Sequence, residues 1–204
     1  MSAKQSSNKI FMVEPREFYS NPQTEGSNHY QMKSANDEKQ LILDKALIEF
    51  HNFKNNLEKN GVEILCLKGI EGCPDHIFPN WFTTFEDKTM QIFPMNAENR
   101  RKEKTPEMIN ELCEIYKIQN DYGYLELEDI FLESTSSMVF DRVNRIVYAT
   151  PSPRTNEKFL NEWCEKNKYD LCSFKTVSHT GSDIYHTDVL LSLIHISEPT
   201  RLQQ

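Results

Sequence analysis

The sequence predicts an α/β fold assembled from repeated strand–strand–helix–strand modules. Two internal matches and the bulk composition point there. "IFPNWFTTFEDKTMQIF" begins at Ile77, and "IFLESTSSMVFDRVNRIVY" begins 53 residues later at Ile130. Each has an Ile-Phe start, a short polar stretch, an apolar run, a turn, a second apolar strand and then a helix. "EKNGVEILCLK" at Glu58 matches "EKNKYDLCSFK" at Glu165, an offset of 107, which is within one residue of two lengths of the same unit. Self-similarity at a fixed period is the signature of a repeat architecture. A composition of 38% hydrophobic and 26% charged residues is that of a globular chain able to bury a core.

The elements follow in order. Residues 38–59 form the first predicted helix, with Leu43, Ala46, Leu47, Phe50 and Leu57 on one apolar stripe. Asn60-Gly61 ends it, because a residue beyond the last turn must reach a left-handed conformation. "EDK" at Glu86 and "RVN" at Arg142 are polar turns between apolar strands and read as hairpins. Helices are expected after "KTPEMI" and "RTNEKFL", with Thr105 and Thr155 as N-caps and Pro106 at the first helical position.

Charge and composition exclude several functions. With a net charge of −8 over 204 residues and a pI near 5.3, the chain lacks the clustered cations that a nucleic acid or an anionic membrane demands. Its dense basic run, "NRRKEK" at 99–104, reads as a solvated helix start. No apolar run approaches the roughly 20 residues of a membrane span, and the polar N-terminus has no signal core, so a cytoplasmic protein is expected. The five cysteines, at 66, 73, 113, 164 and 172, are odd in number and suit a reducing compartment. No pair has CxxC spacing, so neither a metal nor any other cofactor is expected. Cys66 and Cys172 lie in apolar runs and Cys113 and Cys164 in predicted helices, where they read as small core hydrophobes. Cys73, beside Pro74, is a loop thiol and reads as inert.

The repeat also aligns three polar residues. Asn80, Glu133 and His186 are spaced 53 residues apart, so they occupy one position of the module. In a radially repeated fold such positions converge on an axis. Asn, Glu and His converging there would make a site.

Four segments carry a family resemblance: "MVEPREFYSNPQTEGSNHYQ" from Met12, "CPDHIFPNWFTTFEDKTMQIFPM" from Cys73, "FLESTSSMVFDRVNRIVYATPSPRT" from Phe131 and "SHTGSDIYHTDVL" from Ser178. Singly each motif is weak, but four in order over a repeat are specific. With them the chain resembles the amidinotransferase/arginine deiminase superfamily, the pentein fold, and within it the citrulline-utilization-hydrolase type. The resemblance implies a five-module ββαβ propeller of which residues 1–190 supply about three modules. It also implies a hydrolase or amidinotransferase in which a cysteine thiolate attacks a guanidinium or ureido carbon and a histidine shuttles protons. His186 matches the histidine of the family's H-x-D pattern, and Glu133 matches the acidic residue that orients it. Asp188 is placed two residues on along a strand, facing the same way, and with Asp75 and Asn80 of the "PD…FPN" segment it matches the substrate-binding positions. The chain departs from the pattern at Ser134-Thr135-Ser136, where a glycine-bearing turn is usual, which is expected to tighten the backbone. It departs again at Phe78-Pro79-Asn80-Trp81, one Asn short of the usual run.

The partner implied is a small guanidino or ureido compound such as arginine or citrulline, and the reading admits a homodimer. The alternative is a non-catalytic pentein binding or assembly module, since such members exist. Residues 191–204, "LSLIHISEPTRLQQ", resemble a translated sequencing-library adapter. On that reading His195 and Glu198 belong to no site, and the nucleophilic cysteine lies beyond the end of this chain. A chain cut at that point would be inactive and, with open sheet edges, prone to associate.

Overall fold

Hairpins and helical crossovers alternate along the chain, as the repeat predicts. The computed structural model describes residues 5–26, 28, 38–178 and 181–193. His179, Thr180 and 194–204, including His195 and Glu198, lie outside the described residues. In order the elements are β1 (Lys9–Glu14), α1 (Lys39–Lys59), β2 (Glu63–Lys68), β3 (Phe82–Thr84), β4 (Thr89–Ile92), α2 (Glu98–Arg101), α3 (Pro106–Cys113), β5 (Lys117–Asp121), α4 (Ser134–Ser137), β6 (Met138–Asp141), β7 (Ile146–Ala149), α5 (Glu157–Asn167) and β8 (Asp170–Ser173). Short 3-10 turns cover Gly123–Glu128 and Thr187–Val189. Contacts divide the chain into an N-terminal unit (Ser6–Pro79 and Ala97–Ile115) and a C-terminal unit (chiefly Asn80–Asn96 and Tyr116–Gln204). Among the described residues no helix is long and apolar enough to cross a membrane.

The C-terminal unit repeats one sheet pattern. β3 pairs antiparallel with β4, and β4 pairs parallel with β5. β6 pairs antiparallel with β7, and β7 parallel with β8. A hairpin needs only a short turn, whereas a parallel neighbour needs a crossover, and a helix lies in the sequence between the second and third strand of each set. The α/β class expected from the repeat is thus what the sheets display. Both hairpin turns place a cation in the left-handed region, Lys88 at φ 62° and Arg145 at φ 60°. α5 buries Phe159, Leu160, Trp163 and Cys164 against Met138, Phe140, Val147 and Ala149 of the β6–β7 hairpin. One polar knot crosses this apolar core. Trp163 Nε1 donates to Gln91 Oε1 (2.7 Å), and Gln91 Nε2 donates to Gln119 Oε1 and Asn167 Oδ1 (both 2.7 Å). Gln91 is fully buried, so its amide would be costly if any of these partners were lost.

Two expectations are corrected here. Thr155 is not the N-cap of α5. Its hydroxyl donates to Ser137 Oγ (2.7 Å), and the cap passes to Asn156, whose Oδ1 accepts from the Phe159 N–H (2.9 Å). Cys113 and Cys172 are exposed rather than core residues. Cys172 sits on β8, where only alternate side chains face inward. Thr105 caps α3 as expected, accepting from the Met108 N–H (3.2 Å) with Pro106 at the first position.

In the N-terminal unit β1 and β2 pair in parallel from Lys9↔Glu63 to Glu14↔Lys68, with α1 as the crossover. Phe50 is the buried centre of the α1 stripe, and Gly61 at φ 80° takes the chain out of the helix. Arg100 and Glu103 form a buried bidentate pair (2.8 and 3.1 Å). His76, 1% exposed, accepts from the Ile70 N–H at Nδ1 (3.2 Å), while its Nε2 has no hydrogen-bond partner among the described residues. Burial, and secondarily the Arg100 cation, push its pKa down to about 4. The Glu103 carbonyl opposes this slightly without reaching hydrogen-bond geometry.

The pKa of His76 generates a prediction. An unfolded histidine titrates near 6.5 and folded His76 near 4, so below 6.5 unfolding takes up a proton. The stability it supports is complete above pH 6.5 and is lost as pH falls toward 4. Urea unfolding at pH 7 and 4.5 should show His76→Gln losing about 2 kcal/mol less than the parent between the two pH values. Equal losses would mean that His76 is protonated in the folded chain.

Candidate active site

Glu133 sits on one of the tightest reversals in the chain. Its φ, ψ of −80°, 55° and the Ser134 N–H to Leu132 C=O bond (2.8 Å) define an inverse γ-turn. Ser134 then adopts φ 40°, a left-handed value that glycine accepts and other residues resist. The tightening expected at Ser134-Thr135-Ser136 is therefore located at Ser134. Its hydroxyl is also buried without a hydrogen-bond partner among the described residues. Small serines let the turn pack closely, and Ser134, Ser136 and Ser137 are all buried. The Glu133 N–H donates to Ser137 Oγ (3.0 Å), and that hydroxyl donates onward to the Arg154 carbonyl (3.1 Å).

The turn delivers the Glu133 carboxylate, 1% exposed, into a set of donors. Oε1 accepts from the Asn96 backbone N–H (3.0 Å). Oε2 lies 2.6 Å from His186 Nε2 and 3.8 Å from Arg154 Nη1. A buried carboxylate is tolerable only when such partners replace its water. The Arg154 guanidinium, itself buried, lies over the Tyr185 ring at 4.6 Å, and that ring lies 4.8 Å from the His186 imidazole.

His186 is positioned through its neighbours. The Tyr185 carbonyl accepts from Ser152 Oγ (2.7 Å). The Thr187 hydroxyl donates to the Ser137 carbonyl (2.7 Å) and accepts from the Thr150 N–H (3.0 Å). With the residue on each side pinned, the imidazole meets Glu133 through Nε2, and no described residue bonds its Nδ1. A carboxylate on one ring nitrogen selects the tautomer that leaves the other nitrogen basic.

The repeat therefore brings together two of its three aligned residues, Glu133 and His186. Asn80 is half-buried and makes no hydrogen bond with any described residue. Asp188 is near the pair, but not by the route expected. Thr187–Val189 is a 3-10 turn, not a strand, so two-residue alternation does not apply. The Thr187 hydroxyl bonds fold the chain over at that point. Burial, the largest influence, raises the Asp188 pKa overall, and the nearby His186 and the Ser136 side chain pull it partly back down. More than a third of the residue still meets solvent, which limits that burial. Asp75 belongs to the N-terminal unit. There its Oδ2 accepts from Asn21 Nδ2 (2.7 Å) and Thr24 Oγ1 (3.4 Å), while Oδ1 takes no bond from any described residue. Asn21 is held by a reciprocal amide pair with Asn99 (2.8 and 3.2 Å).

Arg154 and Asn96 escaped the sequence reading. Arg154 stood at a presumed helix start, and Asn96 contributes only a backbone N–H, which leaves no residue signal. Among the described residues no group of three or more His, Cys, Asp or Glu side chains could hold a metal ion. Burial drives the Cys73 thiol up to about 11 and the Cys164 thiol up to about 12, unlike a nucleophile.

Residues 14–197 match the family model described as N,N dimethylarginine dimethylhydrolase, eukaryotic. The chain belongs to this family. No curated protein matches it. Among solved structures it is similar to the N-terminal domain of ArgZ, an arginine dihydrolase from the ornithine–ammonia cycle in cyanobacteria, at 17% identity and a TM-score of 0.63, over 88% of this chain and 61% of that one. It is also similar to a dimethylarginine dimethylaminohydrolase captured as an adduct with S-methyl-L-thiocitrulline, at 20% identity and a TM-score of 0.55, over 83% of this chain and 62% of that one. Unliganded AgrE matches at 17% identity and a TM-score of 0.60, over 88% of this chain and 24% of that one. These likenesses establish the fold, and the dimethylarginine dimethylhydrolase family lies within the pentein superfamily that the sequence resembles. The chain spans about 61% of the length of the ArgZ domain.

Ser134 yields a direct test. Ser134→Gly removes both the left-handed strain and the unpartnered hydroxyl, and should raise the unfolding free energy by about 1 kcal/mol. Thermal or denaturant unfolding measures it. A clear loss of stability would show that the serine side chain supports the turn.

Proposed function

We propose that this chain forms part of a hydrolase or amidinotransferase acting on the guanidino or ureido carbon of an arginine-class compound. The observation that carries the reading is the buried 2.6 Å contact between Glu133 and His186. A docking surface has no use for an ionisable pair withdrawn from solvent, whereas proton transfer does. The relatives' names, arginine dihydrolase and dimethylarginine dimethylaminohydrolase, agree on the substrate class.

In the proposed cycle a cysteine thiolate bonds the guanidinium carbon. His186 gives a proton to the departing amine as the C–N bond breaks. The neutral imidazole then takes a proton from water, whose oxygen bonds the same carbon, and the C–S bond breaks to release the ureido product. Glu133 holds the imidazole by Nε2 and so leaves Nδ1 to exchange the proton. Asp188 and Asn80 bind the planar cation through charge-assisted hydrogen bonds, and the same resemblance gives Asp75 a substrate-binding role. The thiolate is assigned to a cysteine outside these 204 residues. The reading includes assembly of the modules as blades of a propeller.

The test is turnover of arginine, dimethylarginine and citrulline, followed as amine or ammonia release, by a chain extended to the length of its relatives. His186→Gln and Glu133→Gln should each lower kcat by about 100-fold or more. Turnover within threefold of the parent in either variant, or no turnover of any guanidino or ureido compound, would sink the reading in favour of a binding module.

A further inference from the structure

The C-terminal unit carries a concave feature built from none of the residues of the Glu133–His186 site. It is a cleft of about 360 Å³ lined by both hairpin turns and the end of α5. Arg142, Arg145, Lys166 and Lys168 face it, together with Glu86 and Asp87. The chain as a whole has 23 Lys and Arg against 31 Asp and Glu. A wall with four cations to two carboxylates is therefore a local reversal of sign.

Among the described residues, the side-chain hydrogen bonds of these cations all go to neutral acceptors. Arg142 gives one N–H to the Thr84 carbonyl (3.1 Å) and one to Thr83 Oγ1 (3.2 Å), and its guanidinium lies 5.1 Å from the Phe140 ring. All three partners are neutral. A guanidinium has five N–H donors, so most remain for another acceptor. Burial lowers the pKa of Arg142 and the neighbouring Arg145 cation adds to this, while the Glu86 carboxylate opposes it. Arg145 serves the fold, because it donates to the Lys168 and Asn167 carbonyls at the end of α5 and covers Tyr169 at 3.8 Å. Lys166 reaches Asn120 Oδ1 (3.1 Å), again a neutral acceptor. Lys168, at φ 57°, makes no side-chain bond with any described residue. Asp87 is occupied by the N–H and hydroxyl of Thr89 (3.0 and 2.6 Å) and offers the cations little.

We infer that this cleft binds a small oxyanion-bearing molecule, one that carries phosphate or carboxylate groups. Arg142 would supply paired donors and Lys166 and Lys168 point charges. The volume suits a metabolite rather than a chain segment. Both hairpins contribute, so occupancy would brace the β3–β4 turn against the β6–β7 turn.

Calorimetric titration of the 204-residue chain at constant ionic strength, with pyrophosphate and separately with citrate, tests this. Saturable binding by one of them is expected, with Kd below about 1 mM. A pyrophosphate response would identify a phosphate ligand and a citrate response alone a carboxylate one. Lys168→Gly removes a charge where glycine suits the backbone, so it should weaken binding about fivefold or more without lowering Tm. Arg142→Gln should weaken it further. If Arg142→Gln fails to fold, Lys168→Gly alone decides. No saturation by either anion up to about 10 mM, or unchanged affinity in Lys168→Gly, overturns the inference.

Discussion

The Glu133 carboxylate is buried to 1% exposure, and the local architecture answers to that fact. A negative charge cannot be withdrawn from water unless donors are waiting for it. Here they come from three separate stretches: a backbone N–H at Asn96, an imidazole at 186 and a guanidinium at 154. Two of these stretches, at 154 and 186, are in turn tied to the Ser-rich turn at 134–137. Ser137 links to Thr155 and to the carbonyls of Arg154, and Thr187 links Ser137 to Thr150. Removing the carboxylate would leave a buried cation and a buried imidazole facing each other, so these contacts stand or fall together.

Much of this was legible in the sequence, for an identifiable reason. The period of 53 residues is the length of one hairpin–helix–strand module, so equivalent residues of successive modules take equivalent places. Hairpin turns at Glu86 and Arg142, the helix ending at Lys59 and the Thr105 cap all follow from local chemistry that a few residues determine. The same period placed His186 opposite Glu133, and the two meet. The failures are of another kind. Thr155 was outbid as a cap by a tertiary hydroxyl bond, Asp188 was carried out of strand geometry by the anchoring of Thr187, and Arg154 and Asn96 act from outside the repeated position. Tertiary contacts decide those cases, and a linear pattern does not contain them.

The core of the C-terminal unit shows how the modules are made distinct from one another. An all-aliphatic interior would accept several registers of similar sheets. Gln91, on β4, instead requires Gln119 on β5 and both Trp163 and Asn167 on α5 at once. An amide that needs three partners admits few alternative packings, so the knot favours one arrangement of similarly built modules over its competitors. The aromatic rings around it, with Trp163 stacked on Tyr169 and edge-on to Phe140, fill the remaining space.

The separation of His186 from Glu133 in the chain also has a kinetic meaning. The two hairpins close turns of a few residues and can form early, whereas the pair joins positions 53 residues apart. Closing a flexible loop of that length costs about 3.5 kcal/mol beyond a constant term, so the contact belongs to the last stages of folding. By the same reasoning it is among the first to part, because the short segment around His186 can lift from Ser137 and Thr150 while the sheets stay intact. In amide hydrogen exchange, that lifting would register as a local opening, separate from the global unfolding of the core.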